Sequence, residues 1–148
     1  MQLEATTEIR QPPERVFAYL AHHPNHVHIV EQNLSCEQVS EGPMGVGTKL
    51  KNTARMFGAL GGRIEEHFEV VAYEPGRKLS KSSREGSSFE TTDSFELSPT
   101  AMGTAVRFVV TVTPNTFFQR ALMAVMKPVV GRAMRDTLSK LKSILEAG

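Results

Sequence analysis

The sequence predicts an α+β domain in which a seven-stranded antiparallel sheet packs against one long C-terminal helix, with two short helices after the first strand. Three observations predict it. From Leu34 to Thr113 apolar and polar residues alternate between turns marked by Gly42-Pro43, Gly61-Gly62, Pro75-Gly76, Gly86 and Gly103, the signature of strands joined as hairpins. Parallel neighbours would need crossovers of a dozen residues or more, which these turns do not supply. Beyond Thr113 the apolar spacing becomes three and four, and only Pro128 and Gly131 interrupt it.

In the first strand Leu3, Ala5, Thr7 and Ile9 share one face, opposite Gln2, Glu4, Thr6, Glu8 and Arg10, as in a half-buried strand. Pro12, Pro13 and Glu14 then preset helical dihedrals and place an acid in a first turn. Val16, Phe17 and Leu20 give the amphipathic spacing, and the helix ends near His23 because Pro24 disfavours helix before it. Asn25 is the expected N-cap of a second short helix reaching Glu31. Six further strands are expected at about 34–40, 47–56, 63–73, 78–85, 88–97 and 104–113.

Thr113 and Pro114 are the expected N-cap and first residue of the closing helix. About 31 helical residues at about 1.5 Å each extend about 46 Å, against a radius of gyration near ~15 Å for a chain of this length. Such a helix crosses the domain. Phe118, Leu122, Val125 and Val129, then Met134, Leu138, Leu141 and Leu145, form a stripe that requires a partner, and the sheet is the only one large enough. The stripe slips by five residues after Pro128, so a kink is expected there, holding the first half away from the sheet.

The 148 residues include 17 Lys plus Arg, 16 Asp plus Glu and one Cys, with a net charge of +1. One domain over 1–148 is expected, burying roughly 70% of its unfolded surface. Near-zero charge and the lack of a basic stripe argue against nucleic acid as partner. Cys36 has no cysteine to pair with, which fits a reducing, cytoplasmic setting. Met1 to Thr6 read as strand and lack the basic and apolar regions of a signal peptide. The most apolar segment, 121–130, contains Lys127 and is flanked by Arg120 and Arg132, so no stable membrane insertion is expected.

Sorting the strands by face places Leu50, Asn52, Ala54 and Met56 inward with Thr48. Ile64, Glu66, Phe68, Val70 and Ala72 form a second inward row, Phe89, Thr91, Asp93, Phe95 and Leu97 a third, and Val106, Phe108, Val110 and Val112 a fourth. Two carboxylates in apolar rows, Glu66 and Asp93, imply a wet interior unless they reach solvent at a strand end. The expected site is a cavity between sheet and helix, lined by Asn52, Ala54, Glu66, Phe68, Thr91, Asp93, Phe95, Phe108, Val110, Leu122 and Val125. Its ligand is a small hydrophobic molecule, with Asn52, Glu66 and Asp93 orienting polar groups. The rival reading is an enzyme that uses Glu66 or Asp93 as acid or base.

The residues Ile9 to Leu20 (Ile-Arg-Gln-Pro-Pro-Glu-Arg-Val-Phe-Ala-Tyr-Leu), Gly45-Val-Gly-Thr48, Val71-Ala-Tyr-Glu-Pro-Gly-Arg-Lys-Leu79, Gly103-Thr-Ala-Val-Arg-Phe108 and Leu138-Ser-Lys-Leu-Lys-Ser-Ile-Leu-Glu146 carry a resemblance. The chain resembles the START-like, Bet v 1-like superfamily over its whole length, and most closely its polyketide cyclase/dehydrase and lipid-transport branch. That resemblance implies a helix-grip fold: a curved sheet wrapped around the C-terminal helix and enclosing a hydrophobic cavity for lipids, polyketides or similar molecules. Some members look like cyclases, and no universal catalytic motif transfers. A Trp common near the position of His28 is missing here.

Four histidines, His22, His23, His26 and His28, fall within seven residues. Pro24 breaks the helix between them, so a solvated turn is expected and neither a metal nor a cofactor. The segment Gly42 to Lys49 nearly spells a phosphate loop, but it joins two strands and its last pair is Thr48-Lys49, reversed from the motif. No Gly-x-Ser-x-Gly elbow occurs, and Cys36 falls in an inward row as a small buried residue. The loop from Gly58 to Gly62 is read as a cavity lid or an ordinary hairpin. Phe117 and Phe118, with Met123 and Met126, are read as core or as a homodimer contact.

Overall fold

The computed structural model describes residues 1–55, 62–85 and 89–148. Among them, antiparallel strands β1 (Gln2–Ile9), β2 (Asn33–Gln38), β3 (Lys49–Arg55), β4 (Arg63–Glu74), β5 (Lys78–Ser83), β6 (Glu90–Pro99) and β7 (Thr104–Thr113) form one sheet. Its order is β1-β7-β6-β5-β4-β3-β2. Helices α1 (Pro13–Ala21) and α2 (His26–Ile29) flank a 3-10 turn at His23–Asn25, and α3 runs from Phe117 to Ala147. This is the helix-grip arrangement, and the strands lie where the alternation places them. Met56 and Gly58 to Gly61, the body of the suggested lid, lie outside the described residues, as does the turn at Gly86.

Two glycines are required by geometry. At the β4–β5 turn Arg77 N donates to Glu74 O at 2.9 Å and Gly76 has φ +76°; proline second and a positive-φ glycine third make a type II turn. Gly103 has φ +154°, and a Cβ there would overlap Ile9 O and lie 2.8 Å from Gln11 N. The β6–β7 turn is thereby pressed against the end of β1, where Thr104 Oγ1 donates to Gln11 O at 2.7 Å.

Three local expectations are corrected. A bulge between Val70 and Ala72 shifts the β4–β5 register and pairs Tyr73 with Leu79. An extra residue exchanges faces along a strand, so Tyr73, not Ala72, takes the inward place and meets Phe17 edge to ring, centroids 5.2 Å apart. Asn25 caps nothing: it is already helical, at φ −63° and ψ −22°, and its Nδ2 donates to Tyr19 O at 2.9 Å. The closing helix starts later than Thr113, at the cap of Thr116, whose Oγ1 accepts from Gln119 N at 3.0 Å. Gln119 Oε1 accepts in return from Asn115 N at 2.9 Å, a reciprocal arrangement that satisfies donors at the helix start.

The apolar stripe on α3 divides into two faces instead of slipping. Met123, Met134, Thr137, Leu138, Leu141 and Leu145 are buried. Met123 and Met134 are separated by about three helical turns, so the buried face continues through Pro128 in an unbroken helix. Phe118, Val125 and Val129 are exposed, because five residues rotate a helix about 140° beyond one full turn and carry the pattern to the other side. Val125 is therefore not turned towards the sheet, and Leu122 is only half-buried. Lys127, on the line from Met123 to Met134, is exposed, so the first half of α3 is lightly covered.

The other end of α3 is clamped. Glu146 Oε2 accepts from Arg10 N at 3.0 Å, Gln11 Nε2 donates to Leu145 O at 2.8 Å, and Lys142 Nζ donates to Glu8 O at 2.6 Å. The Arg10 amide, with help from Lys142, holds the Glu146 carboxyl below its usual range.

Candidate functional site

The inner face of the sheet is assembled row by row through the register. Val70 lies opposite Lys81, Lys81 opposite Asp93, and Asp93 opposite Val110; directly paired residues share a face. The neighbouring row is Leu79, Phe95 and Phe108, with the last two rings stacked at 4.3 Å between centroids. Nearer the β2 edge Asn52 lies between Cys36 and Glu66.

Over this face lie α1, the 3-10 turn and α2. The spacing Leu20, His23, His26, Ile29 points four successive side chains inward, and all four are buried. His23 and His26 are thus not part of a solvated turn; only His22 and His28 of the four are exposed. The reason is the three-residue rhythm: Pro24 ends the first helix but leaves a 3-10 turn that keeps the inward stripe in phase. Among the described residues, no three His, Cys, Asp or Glu side chains come together to hold a metal.

Leu20, His23, His26, Met44, Leu50, Val70, Leu79, Lys81, Asp93 and Phe95 enclose a cavity of about 20 Å³, the room of a single water molecule. His23 Nε2–H donates to Asn52 Oδ1 at 2.6 Å, and His26 Nε2–H to Leu20 O at 2.8 Å. Each ring therefore keeps Nδ1 as an acceptor. The two rings are 4.8 Å apart, and His26 also meets Phe95 edge-on at 6.1 Å. Lys81 Nζ lies 3.8 Å from Asp93 Oδ2, with side chains 12% and 21% exposed, and 4.4 Å from the centre of the Phe68 ring.

Burial sets the protonation states. It pushes the His23 imidazole down to about 2, the Lys81 charge and His26 acting the same way and the Asn52 bond opposing. His26 goes down to about 3 for the same first two reasons, against its bond to Leu20. Both rings are neutral at neutral pH. Burial raises the Asp93 carboxyl, and Lys81 counters it. Burial pushes the Cys36 thiol up to about 11 despite Lys81 and Asn33, so Cys36 is a packed residue and not a nucleophile.

Of the residues the sequence points to, Asp93 and Phe95 line the cavity, Asn52 holds His23, and Phe68 underlies Lys81. Ala54, Glu66, Thr91, Phe108 and Val110 occupy the same face outside it. His23, His26 and Lys81 are additions. The alternation of Leu79 and Lys81 in β5, and the period Leu20–His23–His26–Ile29, are the signals that mark them.

The family model described as polyketide cyclase / dehydrase and lipid transport matches residues 1–146. The chain belongs to this family. Membership points to the binding of hydrophobic molecules, in keeping with the apolar rows of this polyketide cyclase/dehydrase fold. None of the curated proteins matches the chain. Among solved structures it is similar to TTHA0849 of Thermus thermophilus, at TM-score 0.81 and 20% identity over 99% of this chain and 98% of that one. It is similar also to DR_A0006 of Deinococcus radiodurans, at TM-score 0.74 and 20% identity over 100% and 98%. A protein of Rhodobacter sphaeroides gives TM-score 0.74 and 21% identity over 99% and 92%. At these identities the likeness is one of fold. Among the described residues no helix is long and apolar enough to cross a membrane.

Proposed function

We propose that the protein binds a small, mostly apolar molecule bearing an oxygen function between the α1–α2 roof and the inner face of the sheet. One observation carries this reading: two neutral histidines and a Lys–Asp pair converge in an otherwise apolar cavity. Desolvated pairs of this kind contribute little or nothing to stability compared with packed hydrophobes, and such convergence is the usual mark of a binding site. Lys81 supplies donors and the two Nδ1 atoms supply acceptors, while Leu50, Val70, Leu79 and Phe95 meet the apolar body. Ligand entry requires Met44 to move, since its flexible thioether chain closes one wall of a space sized for one water.

Native mass spectrometry of freshly purified protein, together with titration by 1-anilinonaphthalene-8-sulfonate, tests this. A retained small molecule or saturable dye fluorescence is expected, the latter weakened about tenfold by Lys81→Met through loss of a charge-assisted contact. A bare-chain mass with no saturable dye binding would overturn it.

Asp93 favours a second reading. As a carboxylate it would take the proton α to a bound carbonyl, with Lys81 balancing the enolate oxygen. Carbon-13 NMR of the Asp93 carboxyl is expected to show titration above the usual carboxylate range; an ordinary value near ~4 removes the basis for this role.

A further inference from the structure

We infer that Lys81 holds the ligand covalently, as an imine formed with an aldehyde or ketone. This rests on the binding reading above and narrows its oxygen function to a carbonyl. The Lys81 side chain is 12% exposed and lines the cavity among Leu50, Val70, Leu79 and Phe95. Among the described residues none accepts a hydrogen bond from its Nζ. Asp93 Oδ2, at 3.8 Å, stands beyond the roughly 2.7–2.9 Å of a charge-assisted bond. The Phe68 ring, its centre 4.4 Å away, attracts the charge but takes no proton. A desolvated amine whose protons have no taker is costly as a structural device. As a nucleophile it is well placed, because a lysine surrounded by apolar groups is the side chain that forms Schiff bases.

Asp93 carries the protons. It lies directly opposite Lys81 across β5 and β6, so the sheet itself fixes the pair. Burial raises its carboxyl, which suits it to take a proton and return it. Asp93 takes one proton from the Lys81 ammonium, and the freed nitrogen adds to the carbonyl carbon while the carbonyl oxygen receives that proton. The carbinolamine nitrogen then gives a second proton to Asp93, which passes it to the new hydroxyl. The C–O bond breaks, water leaves and the C=N bond forms. One ammonium and one carbonyl have become one iminium and one water, with no oxidant or reductant. A cation faces the Asp93 carboxylate at the start and at the end alike, so capture buries no new charge. The apolar walls limit the water that would hydrolyse the imine.

Benzylacetone with sodium cyanoborohydride, which reduces an imine to a stable amine, tests the inference by intact-mass and peptide-mapping mass spectrometry. The expected product is a single adduct, heavier than the chain by the ketone less one oxygen atom. It should map to Lys81 in preference to Lys49 and Lys127, which are exposed. Mapping is read in the wild-type chain and so does not depend on how a variant folds. Lys81→Arg keeps the charge but cannot form the imine, and should abolish the adduct. Asp93→Asn should slow adduct formation about tenfold at saturating ketone, where weaker binding is not the cause. Displacement of the anilinonaphthalene dye from the wild-type chain by benzylacetone, without the borohydride, reads binding separately. Displacement without an adduct, an adduct spread over the exposed lysines, or a rate indifferent to Asp93→Asn would overturn the inference and leave the binding reading standing. Neither displacement nor adduct would overturn both.

Discussion

Lowering the pH from 7 towards about 4.5 is expected to unfold the protein cooperatively, with the two buried imidazoles as the main cause. The folded values of about 2 for His23 and about 3 for His26 lie below the unfolded value, which is about 6.5. The unfolded chain therefore takes up protons that the folded one refuses. Stability from each ring is fully present above about 6.5 and is lost as pH falls towards the folded value, at about 1.4 kcal/mol per pH unit. Two rings together remove about 5 kcal/mol by pH about 4.5, which matches the lower end of a domain's whole stability. Asp93 acts in the other direction, since its raised value favours the folded state as pH falls, and it offsets part of the loss. Circular dichroism across this range gives the curve. A His23→Gln, His26→Gln double variant, whatever its stability at neutral pH, should show a much flatter one. A wild-type curve that is level down to pH about 4.5, or a double variant with the wild-type slope, would defeat the account.

The second large effect concerns the two faces of α3. Leu141 is fully buried, and Leu141→Ala should cost about 2–5 kcal/mol through lost transfer energy and the cavity left behind. Val125→Ala, on the outward stripe, should stay within about 0.5 kcal/mol. Denaturant unfolding of the two variants measures both. Equal losses would mean that the whole apolar pattern of α3 faces the core.

How much of this was legible in the sequence follows from how local each signal is. Alternation between turn residues located every strand, because a pleat and a hairpin turn are properties of a few adjacent residues. Asn52, Asp93 and Phe95 could be placed on the inner face for the same reason. The bulge at Val71 could not, since inserting one residue changes the parity of Tyr73 without altering composition. Nor could Lys81 be tied to Asp93 without the β5–β6 register, which is fixed by pairing between strands. For the histidines, Pro24 signals only the end of a helix, whereas a 3-10 turn carries the inward rhythm onward from Leu20 to Ile29. The five-residue slip after Pro128 reads as a bend when only spacing along the chain is considered. Burial adds what spacing along the chain cannot: the slip carries Phe118, Val125 and Val129 to the exposed side of α3.

The pairing of β1 with β7 has a consequence for how the chain reaches its fold. The Met1 amino group donates to Val112 O at 2.8 Å, 111 residues away in sequence, and the register continues to Ile9 opposite Thr104. β1 precedes the other six strands and its neighbour β7 follows them all, so this pairing waits until the strands between them have been made. Contacts of such long sequence separation slow folding. Until β7 arrives, the backbone edge of β1 has no strand to pair with, and its apolar residues Leu3, Ala5 and Ile9 stay exposed to premature association.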